Sequence, residues 1–400
     1  MTQTVLGLML PKMAFHLAFW AGDSMKRILI FCDGTWNSPT IAQPTNVHAL
    51  CKAAVESDDQ MCLYFPGVGT GGRFSTFIGK WINKIGGGAF GWGLNRNIKV
   101  AYAALAETYD PGDQIMIFGF SRGAFTARSL AGMIRKCGLL DKATVTRRRV
   151  NKAFRLYRKR GSKNRPDAPH IWRRRQEFSP SYATSKKDQG MRADGSQVIE
   201  IAYLGIWETV GALGIPETLL GPLARQINKR YQFHDTDLSS MVKHARHALA
   251  LDERRKFYRP AKWGNLDKNG ANPGLNQGKT GANRPYQQVW FIGSHPIVGG
   301  SSTVRPLVAY ALDWITKGAM QHGVTLSPSA VLPDATPNAN VDAGEISDPG
   351  GIYNIAPNLL AWRDGPTKTS DRHISVDTRL DHDPNYRPRT MRALRPDLWP

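Results

Sequence analysis

The sequence predicts an α/β fold, a mostly parallel sheet with helices on both faces. Three observations predict it. Short apolar runs of strand length alternate with helical patterns. The runs are apolar throughout rather than alternating, as in strands covered on both sides. The third run passes directly into a glycine-flanked serine that opens a helix. With 400 residues, 41% of them apolar and 10% aromatic, the chain has ample material for a core. Disorder as the state of the whole chain is excluded.

Residues 1–24 read as an accessory extension. They are apolar, but Pro11, Lys12 and His16 interrupt them and no basic leader precedes them, so they match neither a signal peptide nor a membrane span. Met25-Lys26-Arg27 then leads into a first strand at 28–32, and a second follows at 61–65. A helix is expected over 95–109, with Ile98, Val100, Ala101, Ala104 and Leu105 on one face. Pro111-Gly112-Asp113 turns the chain into a third strand at 114–119, and a second helix is expected over 124–140, with Ala127, Leu130, Ala131 and Ile134 at spacings of three and four. Further strands are expected at 198–206 and 288–291. Between them, the stretch bearing His234, His244 and His247 reads as polar or helical, and Leu251-Asp252-Glu253-Arg254 as an exposed helical charge pattern.

One domain is expected over 25–326, carrying a basic insertion at 141–197, and a loop-rich C-terminal segment at 327–400 is expected to pack on it. Within 142–187, sixteen Lys and Arg face only Asp167 and Glu177, a local charge of +14. That supplies most of the excess in a chain whose 53 Lys and Arg against 32 Asp and Glu leave +21. Such a charge favours anionic partners, nucleic acid or a phospholipid surface. The four cysteines form no C-x-x-C pair, which points to reduced thiols and synthesis in the cytosol.

The chemistry is expected at Gly119-Phe120-Ser121-Arg122-Gly123. A serine on a sharp strand-to-helix turn projects its hydroxyl above the sheet edge, and glycines flank it because side chains there would strike the neighbouring strand and helix. The Arg122 amide, next after Ser121, is a candidate oxyanion donor at the positive end of the helix. A base and an orienting acid are needed, and the chain order serine, acid, histidine offers both. Glu208 stands just past the fourth strand and His295 just past the fifth, where α/β sheets place their sites. Asp252 is the competing acid. The glycine run at 86–93 has no Gly-Lys-Ser/Thr ending, so it reads as a loop near the site mouth rather than a nucleotide cradle. No cofactor and no metal ion is called for.

Five ordered blocks carry a family resemblance: Phe31-Cys32-Asp33-Gly34-Thr35-Trp36-Asn37, Tyr64-Phe65-Pro66-Gly67-Val68-Gly69-Thr70, the Ser121 block, Trp207-Glu208-Thr209-Val210-Gly211 and Gly293-Ser294-His295. Together they resemble the α/β-hydrolase domain of uncharacterised bacterial and fungal proteins, shared with the type VI secretion lipase effectors of the first class, which are phospholipases. The resemblance runs from about Lys26 to Tyr310 and touches His373 to Arg389. It implies an α/β-hydrolase-like fold and a triad of Ser121, Glu208 and His295. It also implies a second oxyanion donor from Gly34 or Thr35, with Asp33 supporting the site. Two positions depart from the family pattern. Glu208 replaces the usual Asp, and Ile297 replaces an Asp of the histidine block.

The expectation is a serine esterase that cleaves phospholipid through an acyl-enzyme, a phospholipase of the A type. The resemblance adds export by a specialised secretion system or peripheral attachment to an anionic membrane. Phe154, Leu156, Tyr157, Ile171 and Trp172, interleaved with arginines in the insertion, suit a cap that docks on lipid headgroups. The rival expectation is a catalytically inactive hydrolase scaffold that binds nucleic acid or another anionic surface through the same insertion. No recognised nucleic-acid module accompanies it.

Overall fold

The computed structural model describes residues 25–34, 43–67, 93–192, 196–211, 237–267, 270, 272–344 and 346–399. The strands are β1 (Arg27–Cys32), β2 (Gln60–Phe65), β3 (Gln114–Phe120), β4 (Tyr182–Ala183), β5 (Gln197–Val198), β6 (Ile201–Trp207), β7 (Val242–Ala250) and β8 (Tyr286–Phe291). Six of them form one parallel sheet in the order β2-β1-β3-β6-β7-β8, and β4 pairs with β5 apart from it. Apart from one turn at Ile352–Ile355, the α-helices among the described residues are α1 (Asn46–Ala53), α2 (Gly93–Thr108), α3 (Arg122–Cys137), α4 (Arg147–Tyr157), α5 (Pro169–Phe178), α6 (Lys186–Gly190), α7 (His295–Gly299), α8 (Arg305–Gln321) and α9 (Ile374–His382). The extension at 1–24 and residues 86–92 of the glycine run lie outside the described residues.

Alternation along β1 sorts the two layers. Ile28, Ile30 and Cys32 face the core filled by α2 and α3, while Leu29 and Phe31 face the one filled by α1 and α8. A one-residue slip would exchange these sets. With each buried aliphatic side chain worth roughly 2 kcal/mol, the register is held from both faces. From β1 the chain moves to β2 on one side and then to β3 on the other. The strand order therefore reverses between β1 and β3, and open α/β sheets hold their ligands at the carboxyl edge of such a reversal.

Around the sheet, the readings of β7 and of the basic insertion change. The stretch at 242–250 is the strand β7, not a helix. Its alanines are strong helix formers, but pairing with β6 on one side and β8 on the other overrides propensity. His247 is consequently buried, its Nε2 accepting from the Thr209 amide at 3.2 Å. His244 is half-buried and stacks on His322, while His234 lies outside the described residues. In the basic insertion, Val150, Ala153, Leu156, Tyr157 and Ile171 are buried in the core shared with α2 and α3, and Phe154 packs against it. These apolar groups pack on α2 and α3 rather than facing a lipid surface; the half-buried Trp172 lies under Lys187. In the C-terminal segment, Val376, Leu380 and Met391 pack on Leu249, Leu251, Trp290 and Ile292. Among the described residues no helix is long and apolar enough to cross a membrane.

Candidate active site

Ser121 joins β3 to α3 with φ 56° and ψ −119°, a conformation that side-chain-bearing residues rarely adopt. Its amide donates to the Trp207 carbonyl at 3.1 Å, which ties the turn to the end of β6. The two glycines have steric causes. A Cβ on Gly123 would sit 2.0 Å from the Cys32 carbonyl oxygen, and one on Gly119 would sit 2.7 Å from the Gly123 carbonyl oxygen. The sharp turn therefore needs both positions bare.

His295 opens α7 just past β8, and its backbone amide donates to Glu253 Oε2 at 3.0 Å. Its ring lies between those of Phe120 and Tyr258, with centroids 4.8 and 4.6 Å away. Nε2 is 2.9 Å from Ser121 Oγ, and Nδ1 is 3.0 Å from Glu208 Oε2. An ionised carboxylate only accepts, so Nδ1 carries the proton and Nε2 is left to accept from the serine hydroxyl. The imidazole pKa lies below its ordinary value, because burial outweighs the bond to Glu208 and the charges of Glu208 and Glu253.

Glu208 follows β6 with φ 45°, a second strained residue at the same edge. Its side chain is fully buried and saturated with donors. Oε1 accepts from the Ala250 amide at 2.6 Å and Arg363 Nη1 at 2.9 Å, while Oε2 accepts from Arg363 Nη2 at 2.9 Å and from His295. Burial alone would raise its pKa. The Arg363 charge and the bonds from His295 and Arg363 outweigh that and hold it at about 2.

The competing acid is elsewhere. Asp252 is buried, not on an exposed helix, and its carboxylate accepts from the Gly293 amide at 2.6 Å and from the Tyr386 hydroxyl. It supports the backbone of the histidine loop, and burial pushes its pKa up to about 6. Asp33, at the end of β1, is likewise buried and raised to about 6 by burial, against bonds from Tyr64 Oη at 2.6 Å, Thr45 Oγ1 at 2.8 Å and the Gly34 amide at 2.6 Å. The Gly34 amide is therefore engaged by Asp33. Thr35 lies outside the described residues. Arg122 is the first residue of α3, where an amide has no acceptor within the helix.

Three neighbours of the site were missed in the sequence. Glu253 and Tyr258 follow β7; the acid pair Asp252-Glu253 just after a buried strand would have marked Glu253 had β7 been read as one, while Tyr258 carries no such signal. Arg363 sits in a stretch without periodicity, 155 residues past Glu208, and has no local signal.

The family described as T6SS, Phospholipase effector Tle1-like, catalytic domain matches residues 26–318. An uncharacterized protein of Saccharomyces cerevisiae is 30% identical over 243 residues, covering 58% of this chain and 32% of that protein. Among solved structures, an uncharacterized protein from Pseudomonas aeruginosa aligns with a TM-score of 0.40 and 17% identity, over 76% of this chain and 46% of that one. The Tle1 effector bound to the VgrG spike from the Type 6 secretion system aligns with a TM-score of 0.32 and 18% identity, over 69% of this chain and 51% of that one. The chain thus spans about a third of the yeast protein's length and about half of each solved chain. Because the match runs from the start of β1 almost to the end of α8 and takes in Ser121, Glu208 and His295, the chain belongs to the Tle1-like catalytic-domain family of type VI secretion phospholipase effectors.

Proposed function

We propose that this protein is a serine hydrolase of carboxylic esters, a phospholipase of the A type, and that Ser121, His295 and Glu208 are its triad. The observation that carries the reading is the unbroken line from Ser121 Oγ through both ring nitrogens of His295 to Glu208, closed by two strained residues on neighbouring strands. Strain of this kind costs on the order of 1–3 kcal/mol per residue and persists where the surrounding structure holds it.

In the reaction, His295 Nε2 takes the Ser121 proton as Oγ attacks the ester carbonyl, and Glu208 holds Nδ1–H and stabilises the imidazolium. The Arg122 amide meets the developing oxyanion at the start of α3. The Gly34 amide already donates to Asp33 and would have to leave it to serve as the second donor. Collapse of the tetrahedral intermediate passes the proton from His295 to the departing lysophospholipid, and water then releases the fatty acid by the same route. The family's description supports phospholipid as the substrate class. The rival reading, polyanion binding on an inactive scaffold, leaves the strained and aligned triad without a purpose.

The test incubates the full-length protein and its Ser121→Ala variant with mixed anionic liposomes and identifies products by mass spectrometry. Free fatty acid and lysophospholipid are expected from the wild type, and a loss of at least about a thousandfold in the variant with unchanged circular dichroism. A phosphorylated headgroup as product, or equal rates from both proteins, would reject the assignment.

A further inference from the structure

Arg363 reaches the site from a segment beyond the family match, which ends at residue 318. The segment is laid down beside the chain leaving β7. Leu360 bridges Arg255 in antiparallel fashion, the Ala361 amide donates to the Arg254 carbonyl at 2.7 Å, and the Arg254 guanidinium stacks on Trp362. This run delivers the Arg363 guanidinium, with a side chain only 4% exposed, flat against the Glu208 carboxylate. Nη1 also donates to the Ala250 carbonyl at 2.8 Å, and Nη2 to the Tyr258 carbonyl. The fork is thus fixed at both terminal nitrogens by backbone as well as by the acid.

We propose that Arg363 is a positioning residue for the triad acid: its fork holds Glu208 in the orientation that reaches His295 Nδ1, and its charge sets the acidic limit of the enzyme's working range. This rests on the serine-hydrolase reading of the site. A bidentate guanidinium constrains both position and plane of a carboxylate, which an ammonium cannot do. The charge acts on protons as well. Among the described residues, the polar and charged groups around the His295–Glu208 pair are Ser121 from the β3–α3 turn, Glu253 with its partner Arg255 and Tyr258 from the stretch after β7, His247 on β7 beside Glu208, and Arg363 from the C-terminal segment. The two glutamates favour the imidazolium, whereas Arg363 opposes it.

The sign follows. Removing the guanidinium makes both Glu208 and His295 bind a proton more readily, so the pair's apparent pKa rises and the base is lost at a higher pH. The acidic limb of kcat/KM then moves upward. KM changes little, because Arg363 is buried behind the acid.

The experiment compares full-length wild type, Arg363→Gln and Arg363→Lys. Ester hydrolysis is followed against pH with a short-chain chromogenic ester, and His295 is titrated by NMR in protein carrying 13C at histidine Cε1, its resonance assigned by its loss in His295→Gln. For Arg363→Gln, the acidic limb and the His295 titration are expected to rise together by roughly one pH unit, and kcat to fall about tenfold or more. Arg363→Lys keeps the charge but not the fork, so its limb should stay within about 0.3 unit while kcat falls severalfold. An unshifted His295 titration in a folded Gln variant overturns the proposal. Should that variant fail to fold, a Lys variant with wild-type kcat overturns it instead. A wild type without esterase activity rejects the serine-hydrolase reading alone, since the His295 titration still decides whether Arg363 acts on the pair.

Discussion

At the scale of single residues, geometry at this site is set by short connections with little slack. Ser121, Glu208 and His295 were legible as candidates because Ser121 and Glu208 directly follow apolar strands and His295 comes a short loop after one, and an α/β sheet gathers such positions at one edge. Neither the bond distances nor the positive φ of Glu208 could be read from the sequence, because both depend on loops whose paths are set by packing. Glu208 also carries one methylene more than the aspartate that the family resemblance implies. Its longer side chain spans to His295 Nδ1 while both oxygens stay on the Arg363 fork. Glu208→Asp would withdraw the carboxylate by about one carbon–carbon bond. Misplacement of about 1 Å can cost on the order of a hundredfold, so kcat on a chromogenic ester should fall about 10–100-fold with KM little changed. Backbone stability should not suffer, because aspartate tolerates positive φ better than glutamate. Full activity in the variant would mean that the loop follows the acid, and that its length sets nothing.

At the scale of elements, strands with uniform apolar faces were legible and β7 was not. Val242–Ala250 mixes lysine, arginine and two histidines with alanines, so neither period stands out until β6 and β8 flank it. The insertion shows the converse problem. Its charge is obvious, but the helical spacing of Val150, Ala153, Leu156 and Tyr157 marks the side that packs on α3. A fully buried ion pair helps to anchor the far end of this insertion. Arg175 and Asp188 are both fully buried, with Nη1 2.9 Å from Oδ2, and Arg175 Nε donates to the Lys136 carbonyl at the end of α3. Removing one partner of a buried pair strands the other charge. Arg175→Met should therefore lower stability by about 3–5 kcal/mol in urea unfolding, while Arg192, the second cation on Asp188, limits the loss. A change below about 1 kcal/mol would show that the insertion is held by its apolar face alone.

At the scale of the whole molecule, the segment after α8 closes the sheet as well as the site. Arg372 bridges Trp290 in parallel, and the His373 amide donates to the Trp290 carbonyl at 2.8 Å, so the segment lies along the otherwise open edge of β8. Proline, glycine and aspartate made this stretch read as loop, and loop it largely is. The pairing that gives it a place comes from a strand about eighty residues earlier, which no local pattern could announce. Val376, Leu380 and Met391 are buried against Leu249, Leu251, Trp290 and Ile292. At roughly 2 kcal/mol each, those three side chains alone approach the whole stability of an ordinary domain, about 5–15 kcal/mol. A chain ended at residue 326 would lose them, uncover the β8 edge and leave Glu208 buried without its guanidinium. Such a fragment should bind a hydrophobic dye, unfold without a cooperative transition and release no fatty acid from liposomes. Sharp thermal unfolding of the fragment together with retained hydrolysis would place the C-terminal segment outside both the fold and the site.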